Sequence, residues 1–174
     1  MREAKLVQTD EGLVPEGEGW FVMSPGEAAW TTIAGGGTWL EFQAEGVPNQ
    51  IGAGLHRLPK GESTGLYHVE GNQEGFLVLE GECLVIVEDE ERIMRRHDYF
   101  HCPPETEHLM VGASEEPCVL FVFGNRIARA RYRTNAIAAR FGFSVEEDTD
   151  DWREAYGERE FTRVPAPWPP AGDR

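Results

Sequence analysis

Between residues 20 and 124 the apolar residues come in short runs, each closed by glycine, proline or an acidic cluster before a helix of useful length can form. Trp20-Phe21-Val22-Met23 stops at Ser24-Pro25-Gly26, and the runs 28–33 and 38–42 flank Gly35-Gly36-Gly37. Residues 50–58 form a longer run, spaced by Gly52 and Gly54 and ended by Pro59. Residues 66–70 and 74–79 read as a strand pair around Gly71-Asn72, and Glu80-Gly81-Glu82 turns the chain into 83–87. Asp89-Glu90-Glu91 then reads as a hairpin turn into Arg92-Ile93-Met94. Residues 99–102 run into Pro103-Pro104, which cannot continue a ladder, and 108–111 and 118–123 complete the set. Such short runs at near-regular spacing predict an all-β sandwich or closed barrel.

The flanks differ. Residues 1–19 are polar and read as an arm or edge segment. Residues 134–141 are alanine-rich, with Thr134 as N-cap and Gly142 behind, and predict a short helix. Residues 150–156 predict another helical turn, and the tail Pro165-Ala166-Pro167-Trp168-Pro169-Pro170 reads as extended, against the surface or a neighbouring chain. The expected organisation is one domain: N-terminal strands over 1–49, a barrel core over 50–124 and an extension over 125–174.

Sixteen basic against thirty-one acidic residues give a net charge of -15, which argues against nucleic acid and anionic membrane as partners. Arg126, Arg129, Arg131 and Arg133 are the one local exception, and they read as a solvated face paired with nearby acids. The three cysteines, Cys83, Cys102 and Cys118, lie in apolar runs without a C-x-x-C pair, the pattern of small buried thiols. No apolar stretch follows Met1-Arg2-Glu3 and none approaches the roughly 18 residues of a membrane span. A cytoplasmic protein is expected.

The chain has five histidines, and one of them stands in Tyr67-His68-Val69-Glu70-Gly71-Asn72-Gln73-Glu74 together with two carboxylates. Strand side chains alternate, so His68 and Glu70 point the same way while Tyr67 and Val69 point away. Glu74 opens the next strand, and His108, beyond Pro103-Pro104, starts a strand of its own. Two imidazoles and one or two carboxylates converging inside a barrel suit one divalent transition ion, whether iron, manganese, nickel, zinc or cobalt. Calcium prefers all-oxygen shells. His56, His101 and Gln73 are further candidates for the pocket wall. His101 and Cys102 alternate, so one of the two faces the interior.

These residues resemble the cupin superfamily, whose motifs have the forms G-x5-H-x-H-x(3,4)-E-x6-G and G-x5-P-x-G-x2-H-x3-N. His68, Glu74 and Gly81 match the first motif, and Pro103 and His108 match the second, with residues 82–96 as a compact spacer. The resemblance covers about residues 50–124. It departs from the motifs at Glu70, which stands for the second histidine, and at Gly61, one position early. His97, Glu105 and Gly112 also stand where the second motif has Gly, Gly and Asn.

The resemblance implies a double-stranded β-helix, or jelly-roll barrel, with a short C-terminal helical segment. It implies His68, Glu74 and His108 as metal ligands; Glu70, where the chain departs from the motif, is open as an oxygen ligand, a base, a substrate contact or a side chain turned away that leaves three ligands. It also implies a small polar molecule as substrate or ligand, and a homodimer. Three function classes follow. The first is a metal-dependent enzyme using Lewis-acid chemistry of isomerase, epimerase or lyase type. The second is an iron- or nickel-dependent dioxygenase, and the third a non-catalytic small-ligand binder or sensor.

Overall fold

The computed structural model describes residues 2–167. An N-terminal hairpin, β1 (Lys5–Gln8) and β2 (Leu13–Glu16), forms its own two-stranded sheet. The main strands are β3 (Trp30–Ile33), β4 (Thr38–Glu41), β5 (Ile51–Leu58), β6 (His68–Glu70), β7 (Glu74–Glu80), β8 (Glu82–Val87), β9 (Glu90–Arg95), β10 (Tyr99–Cys102), β11 (Glu107–Gly112) and β12 (Cys118–Asn125). After them come β13 (Ala130–Tyr132), the helices α1 (Ala136–Ala139) and α2 (Trp152–Tyr156), and β14 (Phe161–Val164).

The strands form two antiparallel sheets, seven-stranded in the order β10-β7-β12-β5-β4-β3-β14 and five-stranded in the order β13-β6-β11-β8-β9. The all-β jelly-roll architecture expected from the sequence is the one observed. Period-two alternation explains how the sheets close on each other. Phe76 and Val78 of β7 and Leu120 of β12 meet Val85, Met94 and Met110 of the facing sheet in the central core. Burying an aliphatic side chain of this size contributes roughly 1.5–3 kcal/mol. Cys83, Cys102 and Cys118 are buried in the same core as free thiols.

The opposite parity feeds two outer layers. Tyr67, Ile86, Leu109 and Val111 pack under Tyr132, Ala138 and Phe143, so the C-terminal extension covers the back of the five-stranded sheet. Leu40 and Leu55 pack with Ala28 and Trp30 on the other side. The N-terminal strands β3 and β4 thereby extend the same sheet as β5.

Three local expectations are corrected. Residues 66–70 and 74–79 do not pair with each other: β6 pairs with β11 and β13, whereas β7 pairs with β10 and β12. The short turn carries the chain from one sheet to the other instead of folding a hairpin. Asn135, not Thr134, caps α1, accepting from the backbone N–H groups of Ile137 and Ala138. Strands β13 and β14 carry little periodicity and were not expected; β14 closes the edge of β3. The expectation for the proline-rich tail falls partly on residues 168–170, outside the described residues, while Val164 and Ala166 before them pack on the outer layer.

Two departures from the motifs stand at left-handed turns: His97 has φ 76° and Glu105 has φ 67°. A side chain in this region costs about 1–2 kcal/mol, a cost that glycine avoids. His97→Gly is therefore expected to raise stability by about 1 kcal/mol, after allowing for the greater freedom of glycine in the unfolded chain. Chemical denaturation midpoints check it, and an unchanged or lowered midpoint would show that the turn is not strained.

Candidate metal centre

His68 on β6 and His108 on β11 are direct cross-strand partners, so their side chains emerge side by side, with ring centroids 4.6 Å apart. Glu74, the first residue of β7, enters from the facing sheet. Its Oε2 lies 3.3 Å from Nε2 of His108. Nitrogen and oxygen atoms of His68, Glu74 and His108 all fall within 4.8 Å of one another. Phe76 and Phe100 stand edge-on to His108 and form an apolar wall behind it.

The backbone fixes which nitrogen each imidazole presents. Nδ1 of His68 lies 2.7 Å from the Leu66 carbonyl oxygen, and Nδ1 of His108 lies 3.0 Å from that of Thr106. A carbonyl can only accept, so each Nδ1 carries a proton and is the nitrogen turned away from the cluster. Such a hydrogen bond to the backbone is what orients a histidine toward a metal. In both cases the carbonyl belongs to the residue two positions earlier. Cys102 completes the surroundings, with Sγ 3.4 Å from Nδ1 of His108.

The arrangement leaves a charge problem at its centre. Oε2 of Glu74 is buried and, among the described residues, has no hydrogen-bond donor unless Nε2 of His108 carries a second proton. Without a metal the two groups settle as a carboxylate–imidazolium pair. Burial works against the charged form of His108, but contacts with Cys102 and Glu74 outweigh it and hold its pKa up at about 10. Burial likewise opposes the Glu74 charge, but His108 and then His68 prevail and its pKa is lowered. His68 goes the other way, pushed down to about 4 by burial and by the charge of His108. A divalent cation would replace the proton and satisfy all three groups. Two bonds of roughly 2.1 Å hold their donor atoms no more than about 4.2 Å apart, so the cluster fits such an ion with small side-chain adjustments. Two nitrogens and one carboxylate oxygen suit a divalent transition ion.

Glu70 stands beside the cluster and outside it. Its Oε1 is 4.0 Å from Nε2 of His68, while its Oε2 accepts a 2.6 Å hydrogen bond from Asn72. Burial and the neighbouring Glu74 charge raise its pKa. Asn72 is buried and fully committed: it also donates to the Ala128 carbonyl and accepts from the N–H groups of Ile127 and Ala128. One amide thus holds Glu70 and pins the segment that follows β12.

Above these residues opens a cavity of about 830 Å³, lined by His56, Glu70, Asn72, Glu74, Arg126 and Tyr132 among others. His56 stacks on Trp39, with centroids 6.2 Å apart and planes 16° apart, and burial pushes its pKa down to about 4. His101 and Gln73 are exposed and do not line this cavity; in the His101–Cys102 alternation it is Cys102 that faces inward. Asn72, Tyr132 and Arg126 were not singled out for the pocket from sequence. Asn72 reads as an ordinary turn residue there, because its partners lie over fifty positions away. Of the arginine stretch, Arg126 pairs with Glu41, Arg131 with Glu105, and Arg133 with Asp148 and Asp150.

Comparison with known proteins agrees with the fold. The cupin-domain family model matches residues 54–124. No curated protein matches the sequence. Among solved structures, a sugar phosphate isomerase from Silicibacter pomeroyi is 22% identical, with a TM-score of 0.51, covering 75% of this chain and 80% of that one. KdgF from a Halomonas species is 22% identical, with a TM-score of 0.52, covering 63% of this chain and 96% of that one. A protein of Acidithiobacillus ferrooxidans, 21% identical with a TM-score of 0.45, is matched over 48% of this chain and 55% of its own, so the chain spans about half of it. Among the described residues no helix is long and apolar enough to cross a membrane. The motif residues stand on paired strands of a two-sheet jelly roll, and residues 54–124 match the cupin-domain family.

Proposed function

We propose that this protein is a metal-dependent enzyme acting on a small polar molecule in the cavity by isomerase-, epimerase- or lyase-type chemistry. His68, Glu74 and His108 hold the ion. The observation that carries the reading is the buried Oε2 of Glu74, grouped with two histidines whose Nδ1 atoms are taken up by backbone carbonyls. A divalent ion held by these residues would supply Lewis-acid chemistry at an oxygen of the bound molecule. Glu70 moves the proton: it lines the cavity, and Asn72 occupies one of its oxygens while the other lies 4.0 Å from Nε2 of His68. His56 orients the molecule, since no hydrogen bond among the described residues occupies its ring nitrogens and Trp39 holds the ring from one side. A cavity of this volume is in the range of small-molecule sites.

Metal analysis of protein purified without added ions tests the reading. A near-stoichiometric transition ion is expected, and protein that carries and takes up none would overturn it. Two histidines and one carboxylate also serve non-haem iron oxygenases, which keeps the dioxygenase as the second reading. Oxygen consumption by the metal-loaded protein separates the two. The proposal includes the homodimer expected from the sequence, which sedimentation equilibrium tests.

Glu70→Gln is expected to keep the metal, because the glutamine amide oxygen still accepts from Asn72. Turnover is expected to fall by about 10²–10⁴-fold, the usual contribution of a general acid–base. Loss of the metal in this variant would make Glu70 a ligand instead.

A further inference from the structure

The cavity wall carries arginines that the chemistry described so far does not use. Arg126 and Arg129 both lie on the segment after β12, and both line the cavity with Glu70 and Glu74. Their placement is built in. A Cβ at Gly52 would sit 2.1 Å from Nε and 2.6 Å from Cζ of Arg126, so the guanidinium lies against bare backbone of β5. The segment itself is held by Asn72 through Ile127 and Ala128, and by the bond from Arg126 N–H to the Gln50 carbonyl.

The charges around them are unevenly committed. Asp150 pairs with Arg133, and Asp151 caps α2. Glu41 meets Arg126 at 3.2 Å, with both side chains about two-fifths exposed, the class of ion pair that an incoming anion can displace at little cost. Arg129 has no ion pair among the described residues. In a chain of net charge -15, the cavity wall thus carries, with Arg126, a second guanidinium that has no ion pair among the described residues.

We infer that the site takes an anionic small molecule, a hydroxylated carboxylate or phosphate ester, with its charged group held by Arg126 and Arg129. Its hydroxylated end then lies toward His68, Glu74 and His108, a placement that rests on the reading of that cluster as the reaction centre. Planar guanidinium groups match both carboxylate and phosphate, which they bind through paired charge-assisted hydrogen bonds. The two sources of charge are separated by the ligands used in the test.

Sorbitol, gluconate and glucose 6-phosphate share a polyol skeleton and differ in the charged group. Calorimetric titration of the metal-loaded protein is expected to show at least one of the two anions bound about tenfold or more tighter than sorbitol, and which one identifies carboxylate or phosphate. Arg126→Gln and Arg129→Gln should each weaken the anion about tenfold and leave sorbitol unchanged. Gly52→Ala removes no charge but displaces the Arg126 guanidinium, and should weaken the anion likewise. Equal binding of sorbitol and the anions, no anion binding at all, or anion affinity indifferent to both arginines would overturn the inference. Metal-free protein separates this outcome from that of the metal reading. Arginine-dependent anion preference that persists there upholds the subsite whether or not a metal belongs to the protein. A preference that appears only with metal and ignores the arginines upholds the metal and rejects the subsite.

Discussion

His68→Ala and His108→Ala should each leave purified protein essentially free of transition metal, with affinity reduced by well over 100-fold. Loss of a supporting hydrogen bond to a metal-binding histidine already costs 10–100-fold. In the proposed site one of three protein ligands is then removed outright, and the two that remain cannot enclose an ion. His108 is fully buried against Phe76 and Phe100, so alanine also opens a void in the core. His108→Gln fills that space without restoring the imidazole and should likewise lack metal, while circular dichroism reports whether the fold is intact. His101→Ala, on the outer face, is the control and should retain the ion. Folded variants at positions 68 and 108 that keep a full complement of metal would place the site elsewhere in the molecule.

Glu74→Gln is expected to destabilise the metal-free protein by roughly 3 kcal/mol, because breaking a buried ion pair leaves one member charged and alone. In a domain of this size that corresponds to a melting temperature lower by about 6–12 °C. The effect should depend on pH in a defined direction. The pKa of His108 is raised from 6.5 to about 10, so its contribution is complete below pH 6.5 and fades as pH climbs toward 10. The pKa of Glu74 is lowered from 4.5, so its contribution is complete above pH 4.5 and fades on acidification. The gap between wild type and variant should thus be widest between pH 4.5 and 6.5 and narrow toward pH 10. Melting curves of chelator-treated protein across this range measure it. A gap that stayed constant with pH would mean that the two residues do not form an ion pair in the metal-free state.

The parts of this protein that could be read in advance share a physical origin. Strand parity is local: it put His68 and Glu70 on one face and Tyr67 and Val69 on the other, and the structure follows that alternation, with Tyr67 and Val69 buried and Tyr67 in the back layer. Turn chemistry is local too, and it bounded β5, β10 and β12 within two residues of their observed limits. The spacing of His68, Glu74 and His108 followed the motifs of a known superfamily, and the three side chains do converge. The turn at Gly71-Asn72 shows where local reading stops. Two apolar runs flanking a tight turn look like a hairpin, but the hydrogen-bond partners of each run are chosen by how the sheets close. That choice sent β6 to β11 and β7 to β12.

The amino-acid sequence alone determined the all-β class, the face on which each candidate ligand lies, and the donor types available to an ion. Only the tertiary structure decided which of those donors meet, because the contacts concerned join positions far apart in the chain. Asn72 joins Glu70 to Ala128 beside the His68–Glu74–His108 cluster, and Arg126 lies across Gly52. Long-range side-chain hydrogen bonds and close backbone approaches leave no periodic trace in a sequence, so the grouping of these side chains had to come from the fold.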